Sequence, residues 1–159
     1  MNIKIICLGK VKETSLSNLI DEYKKRISKY ANIEIIELQD EPLPNNPSEK
    51  DILNIKKVEA TRIKSKIHSS DFVVCLDQYG KQLTSEELSD KIQDITVKGF
   101  STIDFIIGGT TGLEKELVTN SNLVLSFSKL TFPHQLIRLF LSEQIFRAFK
   151  IMNNERYHW

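Results

Sequence analysis

An α/β fold, a mostly parallel sheet with helices on both faces, is predicted by three features of this sequence. Short runs rich in Ile, Val, Leu and Phe alternate about five times with longer segments whose apolar residues recur at helical spacing. The short runs are nearly continuous in apolar character, as strands buried on both faces must be. Three of the six glycines, Gly108, Gly109 and Gly112, fall within five residues directly after one such run, so the chain turns sharply at a strand end. In open α/β sheets that is where ligands bind.

The strands are expected at residues 3–8, 33–38, 72–76, 103–107 and 123–127, each of strand length and β-branched or aromatic character. Helices are expected at 16–30, with Leu16, Leu19, Ile20, Tyr23 and Ile27 on one face, at 49–68, and at 85–97. Ser48 and Thr84 stand at N-cap positions, and Pro42, Pro44 and Pro47 punctuate the loop before the second helix. The last helix, from His134 to about Met152, is apolar around most of its circumference. One small sheet cannot cover that surface, so a homodimer through this helix is expected.

At 159 residues the chain fits one domain, residues 1–159, and it shows no repeat or low-complexity tract. The first apolar run is short and broken by Lys4, unlike a signal peptide, and no run approaches bilayer length, so a cytoplasmic protein without a membrane partner is expected. Cys7 and Cys75 each lie inside an apolar run and read as small buried hydrophobes. His68, His134 and His158 have no metal-site spacing with them, and no metal is expected. The formal net charge is only +1, yet Lys24-Lys25-Arg26 with Lys29, and Lys56-Lys57 with Arg62, Lys64 and Lys66, form basic clusters that permit a nucleic-acid partner without requiring one.

The turn Gly108-Gly109-Thr110-Thr111-Gly112-Leu113 is neither a P-loop nor Gly-x-Gly-x-x-Gly, which disfavours nucleoside triphosphates. By itself it is compatible with a tight strand-to-helix turn that binds nothing. A second turn, Phe127-Ser128-Lys129-Leu130-Thr131-Phe132-Pro133-His134, again follows a strand, and Pro133-His134 opens a helix whose free N–H groups favour electron-rich atoms.

These residues resemble the ribosomal RNA large subunit methyltransferase H family. The likeness rests on both turns, the Ser-x-Leu-Thr-Phe-Pro-His core, Arg138, the Leu-x-x-Glu-Gln-x-Phe-Arg-Ala helix, the Tyr157-His158 ending, the start at Met1 and the Cys75-Leu76-Asp77 strand end, and it spans the chain. It implies a SPOUT-class enzyme: a homodimer with a C-terminal trefoil knot that binds S-adenosyl-L-methionine and methylates N3 of a pseudouridine in large-subunit (23S) ribosomal RNA, on the assembled ribosome. General folding rules alone argue against a knot. The resemblance places cofactor contacts on Leu76, Gly108, Phe127, Ser128, Lys129, Leu130, Thr131 and Phe132.

His134 is the candidate base or orienting group, since a helix N-terminus disfavours imidazolium; a structural bond to nearby main chain is the alternative. Tyr157 and His158 form a second catalytic pair, unless they are a frayed terminus. Arg138, Arg147 and Arg156, with Lys150, are candidate RNA phosphate contacts, surface ion pairing being the competing role. The family's ending carries a basic residue where this chain has Trp159. A non-catalytic ribosome-binding or assembly factor of the same fold, or a transfer RNA methyltransferase, remains open to the same residues.

Overall fold

The computed structural model describes residues 1–157. The strands are β1 (Asn2–Leu8), β2 (Asn32–Leu38), β3 (Phe72–Gln82), β4 (Thr102–Ile107) and β5 (Leu123–Ser126); the helices are α1 (Thr14–Ile27), α2 (Glu49–Lys64), α3 (Ser85–Val97), α4 (Lys115–Thr119) and α5 (His134–Met152). They build one five-stranded sheet in the order β2-β1-β4-β3-β5, with every neighbouring pair parallel. Parallel pairing follows from the connections, because each intervening helix returns the chain to the edge where the next strand starts.

Side chains alternate between the two faces. Ile3, Ile5, Ile103 and Phe105 join Ile92, Leu141 and Ile145 under α1, α3 and α5. Ile6, Leu8 and Ile106 meet Ala60, Ile63 and Leu117 under α2 and α4. Central β4 is buried along its whole length, which is why its sequence is continuously apolar but for Thr102 and Asp104.

Asp104 is fully buried and shares Lys4 with Asp71: Lys4 Nζ lies 2.7 Å from Asp71 and 3.2 Å from Asp104. Burial is the largest influence on Asp104 and pushes its carboxyl up to about 6, although Lys4 opposes it. A folded-state value above the unfolded one means the group stabilises the fold while protonated, and that contribution is lost as pH rises through about 6. Asp104→Asn is therefore expected to gain stability relative to the parent, by roughly 2 kcal/mol, between pH 4 and pH 7. Urea unfolding across that range checks it; a parent that gains on the variant as pH rises would contradict the sign.

Helices α3 and α5 lie where the sequence places them, and Ser48 and Thr84 each close a capping box, with Asp51 and Glu87. α1 and α2 stop short of their predicted ends because the chain tightens into i→i+3 turns, such as Lys66 N–H to the Ile63 carbonyl. α4 has five residues, too few to show a periodicity. Cys7 and Cys75 are buried, and burial pushes both thiols up to about 11.

One face of α5 packs on α1 and α3 through Leu141, Ile145, Ala148 and Phe149. On another face, Leu139 and Phe140 border a groove of about 630 Å³ with Leu19, Tyr23, Phe127 and Phe132 in its walls. Leu19 is half exposed there, and Phe132 and Phe140 are exposed. No helix among the described residues is long and apolar enough to cross a membrane.

Candidate functional site

Turns at the carboxyl ends of β4 and β5 and an interruption within β3 converge on one cavity of about 440 Å³. After β4 the chain folds back within five residues: Gly112 N–H donates to the Gly109 carbonyl at 3.1 Å, and Gly112 takes φ +79. Gly108 lies so close to the returning chain that a Cβ there would sit 3.0 Å from the Gly112 carbonyl carbon and 3.1 Å from Leu113.

The end of β5 is locked to β3. Ser126 Oγ donates to the Gln78 carbonyl at 3.0 Å and lies the same distance from the Ser128 carbonyl, while Leu130 N–H donates to Ser128 Oγ. β3 itself is interrupted, since Leu76 and Lys81 both pair with Leu125 and residues 77–80 bow outward between them. Asp77 Oδ1 accepts from Tyr79 N–H at 2.8 Å, and a Cβ on Gly80 would lie 2.7 Å from the Val124 carbonyl oxygen, so only glycine fits behind the bow.

Leu76, Gly108, Phe127, Ser128, Leu130, Thr131, Phe132 and His134 all line this cavity. Lys129 does not; its side chain is exposed outside the lining. The cavity also takes in Lys56 from a basic cluster, Thr111 from the glycine turn, and Asp77, Gln78, Tyr79 and Ile137, to which sequence reasoning had assigned no role. Ile137 was one helical turn from His134 and could have been inferred; the bow at 77–80 is set by strand register, which no local pattern reveals.

Chemically the lining suits a flat, neutral ring joined to a cationic group. Leu76, Ile107, Leu125 and Ile137 offer apolar faces, Asp77 a carboxylate, and the turns their backbone polar groups. Thr111 Oγ1 is buried without a hydrogen-bond partner among the described residues, and a Cβ on Gly112 would meet nothing within 4 Å, which leaves both an orphan hydroxyl and open space for a ligand. Among the described residues no cluster of three or more His, Cys, Asp or Glu side chains is placed to hold a metal ion.

His134, half-buried at the first position of α5, has no hydrogen-bond partner for its imidazole among the described residues. Burial holds its pKa below the ordinary histidine value, the Arg138 guanidinium adds to that, and Asp40 opposes it. The direction matches the helix N-terminus expectation, with burial as the larger cause. The ring is neutral at pH 7 and can accept a proton.

Arg138 corrects the sequence expectation. Its side chain is 1% exposed and Nη2 donates to the Leu8 and Gly9 carbonyls at 2.6 and 2.9 Å, tying α5 to the end of β1 where no phosphate can reach. Arg147 pairs with Glu143 at 2.7 Å and lies 4.8 Å over the Tyr157 ring, while Tyr157 O–H donates to Glu143 at 3.1 Å. Glu143 stands nine residues beyond His134, roughly 13 Å along the helix, so Tyr157 and His134 are not neighbours within one chain. Arg156 is exposed, and His158 lies outside the described residues.

A family model described as "Predicted SPOUT methyltransferase" matches residues 1–158. Two curated relatives, from Clostridium novyi (strain NT) and Clostridium botulinum (strain Alaska E43 / Type E3), are 51% and 52% identical over 158 residues, cover 99% of each chain, and are both named "Ribosomal RNA large subunit methyltransferase H". A solved structure of "a probable methylase family protein" from Haemophilus influenzae Rd KW20 shares the fold over 99% of this chain and 70% of its own, with a TM-score of 0.52 at 13% identity. With this sheet order, these three convergent segments and relatives matching from end to end, the chain belongs to the SPOUT methyltransferase family and, within it, to the ribosomal RNA large subunit methyltransferase H group.

Proposed function

We propose that this protein transfers the methyl group of S-adenosyl-L-methionine to N3 of a pseudouridine in large-subunit ribosomal RNA, acting in the cytoplasm on the assembled ribosome. The observation that carries this is the meeting of three backbone-rich segments and a neutral, unpartnered His134 in one cavity. The names of the relatives supply the RNA.

Adenine fits between the apolar side chains of Leu76, Leu130 and Phe132, read by main-chain groups of Gly108, Ser128 and Thr131, while Asp77 faces the cationic end. When bound, the sulfonium supplies an activated methyl for in-line displacement, so the protein's task is chiefly alignment. His134 accepts or orients the N3 proton. The whole chain acts as one domain, threaded as a trefoil knot, and pairs as a homodimer through α5 and the apolar groove. Cavity and groove share Leu125, Phe127, Ser128 and Phe132 as a common wall, so a second copy seated in the groove lies beside the first copy's cavity.

Protein incubated with methyl-labelled cofactor and separate pools of 50S subunits, whole ribosomes, protein-free ribosomal RNA and transfer RNA should label large-subunit RNA in ribosomal particles. Labelling confined to transfer RNA, or no thermal stabilisation by saturating cofactor, would overturn the assignment. Gly108→Val should weaken cofactor binding at least about tenfold, because even a Cβ at 3.0 Å from the Gly112 carbonyl carbon forces the turn itself to open. Calorimetric titration checks this; unchanged affinity would remove the turn from the cofactor site.

A further inference from the structure

Tyr79 is 87% exposed, the most exposed large apolar side chain among those of the described residues, yet its backbone is among the most constrained parts of the site. The bow that carries it is held by the Asp77 carboxylate on its own N–H, by Ser126 on the Gln78 carbonyl and by the close approach of Gly80 to the Val124 carbonyl. A ring held out at a fixed position presents a flat face on which another planar group can stack. Tyr79 also belongs to the cavity lining, so whatever stacks on it does so at the mouth of the proposed methyl-transfer site.

The other side of that mouth is formed by α2, which carries exposed lysines. A helix that links parallel strands begins at their carboxyl ends, which places the first half of α2 beside the cavity, and Lys56 is in its lining. Lys50 and Lys57, seven residues apart, share one exposed stripe of α2 with Leu53, which is 60% exposed. Neither lysine takes part in an ion pair among the described residues, whereas Lys64 at the far end of the helix pairs with Glu114. The other basic cluster, Lys24-Lys25-Arg26, closes α1 at the opposite edge of the sheet, where β2 starts. Position in the fold thus separates two clusters that look equivalent in sequence.

We infer that the mouth of the cavity is an RNA-docking surface in which Tyr79 stacks on an unpaired base and Lys50, Lys56 and Lys57 hold the adjoining phosphates. An aromatic ring at a fixed height beside compact, unpaired positive charges is the combination that engages a single-stranded segment without reading its sequence. An acidic protein surface would satisfy the lysines but would leave the phenol ring without a planar partner. The inference rests on the proposed RNA methyltransferase function and adds which surface meets the RNA.

The test uses the full chain with whole ribosomes, the proposed substrate, for turnover, 50S subunits for binding, and protein-free large-subunit ribosomal RNA as RNA-binding probe. Tyr79→Ala should raise KM for ribosomes about five- to fiftyfold, with kcat within twofold of the parent, and Tyr79→Phe should restore the parent KM. Lys50→Glu with Lys57→Glu should weaken RNA binding and flatten its salt dependence by about one log unit per lost phosphate contact, while Lys24→Glu with Lys25→Glu should do neither. A parent KM in Tyr79→Ala, or equal effects from the two lysine pairs, would overturn the docking surface while leaving the methyltransferase assignment intact; a parent that labels no ribosomal RNA would instead sink the assignment. A change in oligomeric state of Tyr79→Ala by sedimentation, or loss of subunit binding without loss of RNA binding, would show the mouth to be a protein contact and overturn the inference.

Discussion

His134→Ala is expected to lower turnover by about 10²- to 10³-fold while cofactor affinity stays within about threefold of the parent. The asymmetry follows from geometry. The apolar walls and backbone turns that surround the cofactor site do not depend on the imidazole, whereas among the described residues the ring stands alone in the lining as a neutral nitrogen base at a helix start. The same geometry fixes a pH profile. Only neutral imidazole accepts a proton, and burial with the nearby Arg138 charge holds the His134 pKa below the ordinary value near 6.5. Turnover should therefore stay flat through neutral pH and fall only on the acid side of that value. Single-turnover rates from pH 5 to pH 8 check both statements, and an active Ala variant with the parent's acid limb would remove His134 from the reaction.

Arg138→Ala should cost about 2–4 kcal/mol of folding stability, enough to lower the melting temperature by roughly 10 °C in a chain of this size. The guanidinium is buried, and Nη2 satisfies two carbonyls, those of Leu8 and Gly9, at the end of β1. Truncation strands both acceptors and leaves a void beneath the first turns of α5. It also removes one of the two influences that depress the His134 pKa, so the acid limb should move toward higher pH in whatever variant survives. A stability loss under 1 kcal/mol in urea unfolding would show that the strut is dispensable.

The strands and the long helices could be read from the chain because burial writes itself into composition: β4 has no exposed side chain, and the apolar residues of α3 that the pattern singles out, Leu88, Ile92 and Ile95, are all buried. The cavity was legible at Gly108 and at Phe127 to His134, where two turns follow two strands. What could not be read depends on contacts between distant residues. Nothing near Tyr79 announces that Gly80 must fit against Val124, 44 positions later, and nothing near Arg138 announces that its partners are the carbonyls of Leu8 and Gly9. An arginine on a helix one turn from a site looks like a phosphate ligand until the fold buries it. The pairing of Tyr157 with Glu143 was hidden in the same way, because a tail is placed by what it packs on rather than by its own pattern.

The strand order has a kinetic consequence. β1 pairs on one side with β2, about thirty residues away, but on the other with β4, where Ile3 faces Ile103. A ribosome adding roughly 5–20 residues per second exposes the free side of β1 for about 5–20 s before its permanent neighbour exists. Through that interval Asn2, Lys4 and Ile6 have backbone donors and acceptors with no strand to meet, and the middle of the sheet cannot close until β4 is made. During its own synthesis this protein is most vulnerable at a strand that ends up flanked on both sides.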